Sequence, residues 1–517
     1  MKSYLTLPLF FIIGILLVSC RIESEGTEGQ DLVLREIAKF EANPDSIADN
    51  YLESSYDIFY DLFAINNIWL LQELSSDIIT PLSLGPSWDD NSVWEEISLH
   101  TWGTDNFQVV QSWDRLNESK VDLFNSRLVF DQATSTDEID AIIAERDMLL
   151  AYADWMLIDL FRQTIDVDEK GQSTIRKKGE AVQYAIEKLE AALPKASGKE
   201  RFTDQKVLTR LNKWSGMGML ARLYLNRAVY DGSFNFQASD MERVVELCDD
   251  IIQSGVFKLA TSYWDVFKKD NGSSPSTPTE LLFGSKLKEN GGFTNSMLIF
   301  TLNSAHFPNN SSWNGFTNLA EFYQAWDQDD PRFEGPRIDG LKAHFGINAG
   351  LQTTDSGDTL RDSNGMPVIY DSERSGLGPA ILQGSRSVKY EPDFATVAAS
   401  PFSGKNLFAY LRLGEIYLMK AEAEFRLGLG SALSSLNLLR SARGASELST
   451  ISEQAVLDEY GFELWLEGQR RTHLVRFGKF NEAVSTRPNG SQVNKAIYPI
   501  PLHALANFPE LEQNEGY

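Results

Sequence analysis

"YADWMLIDLF", residues 152–161, and "MLARLYLNRA", residues 219–228, decide the fold of this chain. Both keep apolar residues at three- and four-residue spacing, the period of one buried helix face. Both carry a small residue, Ala153 and Ala221, of the kind that lets two helices cross closely. The two alanines are 68 residues apart (221 − 153), twice a period of about 34. Apolar helices recurring at that interval predict stacked helix pairs, because no single repeat can bury its own apolar face.

Working outward, the same periodicity predicts helices over 45–76, 110–131, 136–162, 174–193, 204–231 and 240–255. Short connections between them make antiparallel neighbours, and the pattern is similar to tetratricopeptide helix pairs. From Val256 to Lys405 the texture changes to Gly, Ser, Asn, Pro and Asp, as in "KKDNGSSPSTP" and "TTDSGDTLRDSNGMP". Short apolar pieces there, "ELLFGSKL" (280–287) and "PVIYD" (367–371), read as strands. Helix is predicted again from Asn406, with Leu411, Gly414, Leu418, Ala421 and Phe425 as its stripe, and through 453–480. The expected fold class is therefore mostly α: a tetratricopeptide-like helix-pair scaffold with a loop-rich insert containing short strands.

The N-terminus carries a different signal. Leu5–Val18 is apolar but shorter than the roughly 20 residues needed to span a bilayer. One early lysine and a small residue near its end make it a secretory signal. Leu17-Val18-Ser19-Cys20 resembles the lipobox of bacterial lipoproteins, which implies acylation of Cys20 and cleavage before it. The polar stretch that follows, with Glu23, Glu25 and Glu28, is similar to the acidic segments that send Bacteroidota lipoproteins to the cell surface. The expected organisation is a signal peptide over 1–19 and an acidic tether over 20–30. A helical region over 31–255, a loop-rich insert over 256–405 and a C-terminal helical region over 406–517 follow. Cys248, in "MERVVELCDDII", has helical spacing and reads as a buried thiol. The net charge of −26 excludes nucleic acid as a partner, which binds through neutralising Lys and Arg.

Three C-terminal motifs then resemble the SusD/RagB family. In "RLGEIYLMKAEAEFRLG" the matching residues are Arg412, Glu415, Tyr417, Ala421, Glu422 and Ala423. In "ELWLEGQRRTHLVRFG" they are Glu463, Leu464, Glu467, Gly468, Arg470, Leu474, Arg476 and Gly478. In "AIYPIPLHALANFPELEQNEGY" they are Pro499, Ile500, Pro501, Asn507, Gln513, Asn514, Gly516 and Tyr517. Gly414 replaces the usual Ala, His473 stands where Asp is common, and Tyr460 where Arg is common. Glu463, Glu467 and Arg471 at four-residue spacing are expected to pair along one helix face. The resemblance implies a lipoprotein anchored on the outer face of the outer membrane. Such a protein binds a neutral oligosaccharide and delivers it to a SusC-like TonB-dependent transporter. A peptide-binding lid of the same transporter type is the alternative, and a surface glycosidase a more distant one.

Enzyme signatures are missing. His100, His306, His344, His473 and His503 form no HExxH pair, and no GxSxG elbow occurs. "DQDDPRFEG" lacks the alternating ligands of a calcium loop. No catalytic residue, metal or cofactor is expected. Sugar rings pack their C–H faces on aromatic faces while amides and carboxylates take the hydroxyls. Aromatics next to Asn or Asp in "PSWDDNSVW" (86–94) and "NNSSWNGF" (309–316) are therefore the candidates: Trp88, Asp89, Asn91, Trp94, Trp313, Asn314 and Phe316. The resemblance likewise implies a site built from loops after the first long helices and loops of the insert.

Overall fold

The computed structural model describes residues 26–62, 67–82, 90–168, 171–204, 206–272, 279–285, 301–307, 312–373, 383–394 and 406–517. The signal segment, Cys20, Trp88 and Asp89 lie outside them. No helix among the described residues is long and apolar enough to cross a membrane.

Helices dominate. Among them are α1 Gly26–Ala42, α2 Pro44–Leu62, α3 Ile68–Glu73, α4 Val93–Leu99, α5 Phe107–Phe130, α6 Asp137–Phe161, α7 Lys178–Ala192, α8 Lys213–Tyr230 and α9 Ala238–Gln253. After the insert come α10 Leu413–Arg426, α11 Ala432–Arg443, α12 Glu453–Leu464, α13 Arg470–Arg476 and α14 Leu502–Asn507. Consecutive helices pack on one another from α5 through α9, and α10 continues the stack directly on α9. The helix-pair scaffold is thus completed across the insert. Ala153 and Ala221, the repeat positions, are fully buried in α6 and α8. The glycines of "GMGMLA" serve close packing: a Cβ on Gly216 would sit 2.6 Å from Met148 Sδ, and one on Gly218 2.5 Å from a Leu411 methyl. Cys248 is fully buried, and burial pushes its thiol pKa up.

Several boundaries differ from the periodicity. α1 begins at Gly26, inside the stretch read as a tether. Residues 174–177, expected as helix, belong to strand β3 (Ser173–Lys177), paired antiparallel with β2 (Gln163–Val167). Their β-branched content suits a pleated pair better than a helix. The helix expected over 204–231 is split into a single turn, Lys206–Thr209, and α8 from Lys213, where the Asn212 side chain accepts from Trp214 and Ser215 N–H. Phe408–Arg412 is strand β11, buried throughout and paired with β4 (Leu281–Ser285), before α10 begins. Both apolar pieces of the insert are strands, the second as β9 (Ile369–Tyr370) against β8 (Gly350–Leu351).

The expected continuous helix over 453–480 breaks at Trp465–Gln469. Leu466 and Gly468 take left-handed φ of 59° and 77°. The carboxylate of Glu73, at the end of α3, accepts from the N–H groups of Leu466 (3.3 Å), Gly468 (2.7 Å) and Gln469 (3.0 Å). Glu463, Glu467 and Arg471 therefore do not pair with one another. Arg471 goes to Asp159 of α6 at 2.8 Å. Glu463 takes Arg412 (2.5 Å), Arg443 (2.6 Å) and Arg332 (2.9 Å), and Glu467 takes Lys389 (2.6 Å) and Arg412 (2.7 Å). With Glu280, Asp330, Glu459 and Arg440 these groups form one buried cluster of five cations and five carboxylates. Glu280, Asp330, Arg332 and Lys389 come from the insert, and the others from β11, the C-terminal helices and, for Glu467, the break between α12 and α13. The cluster clamps the loop-rich segment to the scaffold.

Candidate functional site

Two loops far apart in sequence are joined by a short ladder. β1 (Ile79–Pro81) pairs antiparallel with β5 (Phe316–Asn318), Pro81 opposite Phe316 and Ile79 opposite Asn318. Leu82 N–H to Gly315 O (2.6 Å) and Leu319 N–H to Ile78 O (2.9 Å) extend it. The ladder brings the start of the loop that leads to Asn91 and Trp94 against the end of the loop that carries Trp313. These are the two stretches singled out in the sequence.

The candidate residues have different roles in the packing. Trp94 is buried in α4. Its indole N–H donates to Asp90 Oδ2 at 2.7 Å, and its ring meets Phe316 edge-on at 5.9 Å. Phe316 is fully buried, so both rings are supports beneath the surface. Asp90 and Asn91 are exposed. Asp90, Asn91 and Ser92 all adopt positive φ (38°, 59° and 63°). Consecutive left-handed residues without glycine are costly and gather where a loop is over-determined by its surroundings. Trp313 is 49% exposed. Asn314 beside it is buried, with φ of 49°, and its Oδ1 accepts from Arg386 Nε at 3.1 Å.

A third segment buttresses the shelf, and sequence reasoning missed it. Ser385 O accepts from Asn318 N–H (3.0 Å) and Thr317 Oγ1 (3.0 Å), and Ser387 Oγ donates to Asn318 Oδ1 (2.6 Å). Ser387 and Arg386 belong to strand β10 (Arg386–Val388), which pairs with β7 (Ala343–Asn348). Arg386 is fully buried, stacked over Tyr370 at 4.7 Å, and donates to Gly384 O at 2.7 Å. Burial lowers its pKa to about 10. Gly384 has φ of 69° and lies so close to Thr317 that no Cβ fits. Tyr370 O–H meets His306 Nε2 at 2.9 Å, and burial holds the His306 pKa near 4, so the imidazole is neutral. Nothing in the spacing of Arg386, Tyr370 and His306 marks them, because their partners are set by loop contacts.

Among the described residues no group of three His, Cys, Asp or Glu side chains is placed to hold a metal. Asp330 of the acidic "DQDDP" stretch is taken up by Arg332. The arrangement offers a half-exposed aromatic side chain, exposed amide and carboxylate groups, and a buried floor.

A stack of helix pairs interrupted by an insert that builds a supported aromatic shelf defines a repeat scaffold carrying a surface platform. The SusD family model matches residues 255–495, so over that span the chain is similar to the family. It is 26% identical over 83% of its length to the starch-binding protein SusD of Bacteroides thetaiotaomicron, covering 82% of that protein. Among solved structures it is similar to surface glycan-binding protein A from Bacteroides uniformis, with a TM-score of 0.69, 17% identity, and coverage of 91% of this chain and 99% of that one. A laminarin-binding SusD-like protein aligns with a TM-score of 0.68 and 18% identity over 91% of this chain and 99% of that chain.

Proposed function

We propose that this chain is a cell-surface lipoprotein, anchored through Cys20 to the outer membrane. It binds a neutral oligosaccharide on the Trp313 shelf and hands it unaltered to a SusC-like TonB-dependent transporter. The β1–β5 ladder carries the reading, since it joins both candidate loops where Trp313 stays half exposed beside buried Asn314 and Phe316. The names of its relatives, starch-binding, glycan-binding and laminarin-binding, support the cargo class. Asn91 and Asp89 supply polar groups for sugar hydroxyls, and Trp88 a second aromatic face. Trp94 and Phe316 hold the shelf from below. A glycan array followed by calorimetry tests this: a neutral oligosaccharide binds, Trp313→Ala removes the binding at an unchanged melting temperature, and the recovered oligosaccharide is intact. Binding of peptides and no glycan, or cleavage that scales with protein and vanishes with one carboxylate, overturns it. Labelling with a fatty acid marks the wild type and not Cys20→Ala.

A further inference from the structure

The sequence neighbours of Trp313 are both tied down. Ser312 Oγ donates to Leu302 O, and Asn314 Oδ1 accepts from Arg386 Nε at 3.1 Å. Both ties lead to one side chain, Tyr370. Asn303, the residue after Leu302, donates its N–H to the Tyr370 hydroxyl oxygen at 2.9 Å. The Arg386 guanidinium lies over the Tyr370 ring at 4.7 Å. Tyr370 therefore holds one flank of Trp313 through its hydroxyl and the other through its ring.

The hydroxyl is itself aimed. His306 Nδ1 faces Lys342 O at 3.0 Å. A carbonyl only accepts, so Nδ1 carries the ring hydrogen, and in a neutral imidazole Nε2 is left as an acceptor. The Tyr370 O–H donates to it at 2.9 Å, which leaves the oxygen lone pairs for Asn303 N–H. Asn303 and His306 are held at a fixed spacing, because Asn303 Oδ1 accepts from Ala305 N–H at 2.9 Å and caps the turn Ser304–His306. Tyr370 and His306 are both fully buried, so neither reaches a ligand on the shelf.

We propose that Tyr370 is the positioning residue of the Trp313 shelf, with His306 fixing its hydroxyl, and that the pair sets glycan affinity without touching the glycan. This rests on the reading of Trp313 as the sugar-binding face. The test places 5-fluorotryptophan in the mature chain and follows Trp313 by fluorine NMR, its resonance identified by its loss in Trp313→Phe. Calorimetry with the oligosaccharide found on the array and a thermal melt run beside it. Tyr370→Phe keeps the ring under Arg386 and deletes the hydroxyl. It moves or broadens the Trp313 resonance and weakens the oligosaccharide about fivefold or more, while the chain still melts cooperatively. His306→Leu, which removes the acceptor, does the same and serves alone if Tyr370→Phe is unfolded. His306→Gln, whose amide oxygen replaces the acceptor, restores both readings. Tyr56→Phe is the control. Tyr56 lies buried in α2, where its hydroxyl accepts from Leu211 N–H at 2.9 Å and donates to Glu145 at 2.8 Å. Its loss leaves the Trp313 resonance and the affinity at their wild-type values. The proposal is overturned by a resonance unmoved in Tyr370→Phe and His306→Leu, or by an affinity that holds although the resonance moves. A cooperatively melting His306→Gln that behaves as His306→Leu, or a Tyr56→Phe that gives the same changes, overturns it as well. Failure of the glycan reading shows separately, as a wild-type chain that binds nothing on the array; the resonance then decides the positioning by itself.

Discussion

The buried charge cluster and the Trp313 shelf are both built where the insert meets elements distant in sequence, and they end oppositely. In the cluster, Arg332, Arg412 and Arg443 all close on Glu463, and further carboxylates take their remaining donors. Nothing is left to face a ligand. On the shelf, Arg386, Asn314 and the Ser385 turn close on one another beneath the surface, while Trp313 stays half exposed. Buried arginines therefore serve as a clamp in one place and as the base of a half-exposed surface in the other. Which they become depends on whether the last aromatic side chain is covered. Trp94 and Trp313, both in polar loops by sequence, fall on opposite sides of that divide.

The clamp breaks hardest. Burial pushes the Glu463 carboxyl up, but the guanidiniums of Arg443, Arg412 and Arg332 outweigh it and hold the group well below the usual range. Glu463→Ala leaves three buried cations without their shared partner, and removing one member of a buried pair costs about 3–5 kcal/mol. Urea unfolding checks this, and a loss below about 1 kcal/mol would show that the cluster is not a clamp. The aromatic contrast comes next. Trp94→Ala should cost about 3 kcal/mol or more, as for a core tryptophan, whereas Trp313→Ala should stay within about 0.5 kcal/mol of wild type. Equal melts for the two variants would erase the distinction between support and surface.

Glu73 gives a pH signature of comparable size. Burial raises its pKa from 4.5 to about 7 in the folded chain. The folded state thus holds this proton where the unfolded chain has released it. The contribution is full below pH 4.5 and is lost as pH rises through 7, by about 3 kcal/mol. In Glu73→Gln this part of the pH dependence should flatten; an unchanged slope between pH 5 and 7 would assign it elsewhere. The smallest effect concerns Tyr460 and His473. Two of the three departures from the family pattern meet each other, rings 4.3 Å apart. Tyr460→Arg and His473→Asp should each destabilise by burying an unpaired charge. The double variant should recover part of the loss, a coupling of about 0.5–3 kcal/mol in a thermodynamic cycle. Additive losses would mean that the two positions do not act as a unit.

The sequence by itself determined the helix-pair scaffold, its interruption by a loop-rich insert, the buried Cys248 and the two loops worth inspecting. Each of these rests on periodicity or composition, which act within about one helix or loop. It misplaced the ends of elements at Lys213, at Phe408 and at Trp465, where a cap, a strand partner or a distant carboxylate decides. It paired Glu463 with Glu467 and Arg471 by spacing, since a run of helix formers does not reveal that Glu73, nearly 400 residues earlier, captures the amides at the break. The β1–β5 ladder, the Arg386 buttress and the half-exposure of Trp313 belong to the tertiary structure alone, whereas "VWEEI" around Trp94 already reads like the edge of a buried element. Whether a tryptophan is covered depends on which distant segment folds over it, and that is decided by packing of the whole chain.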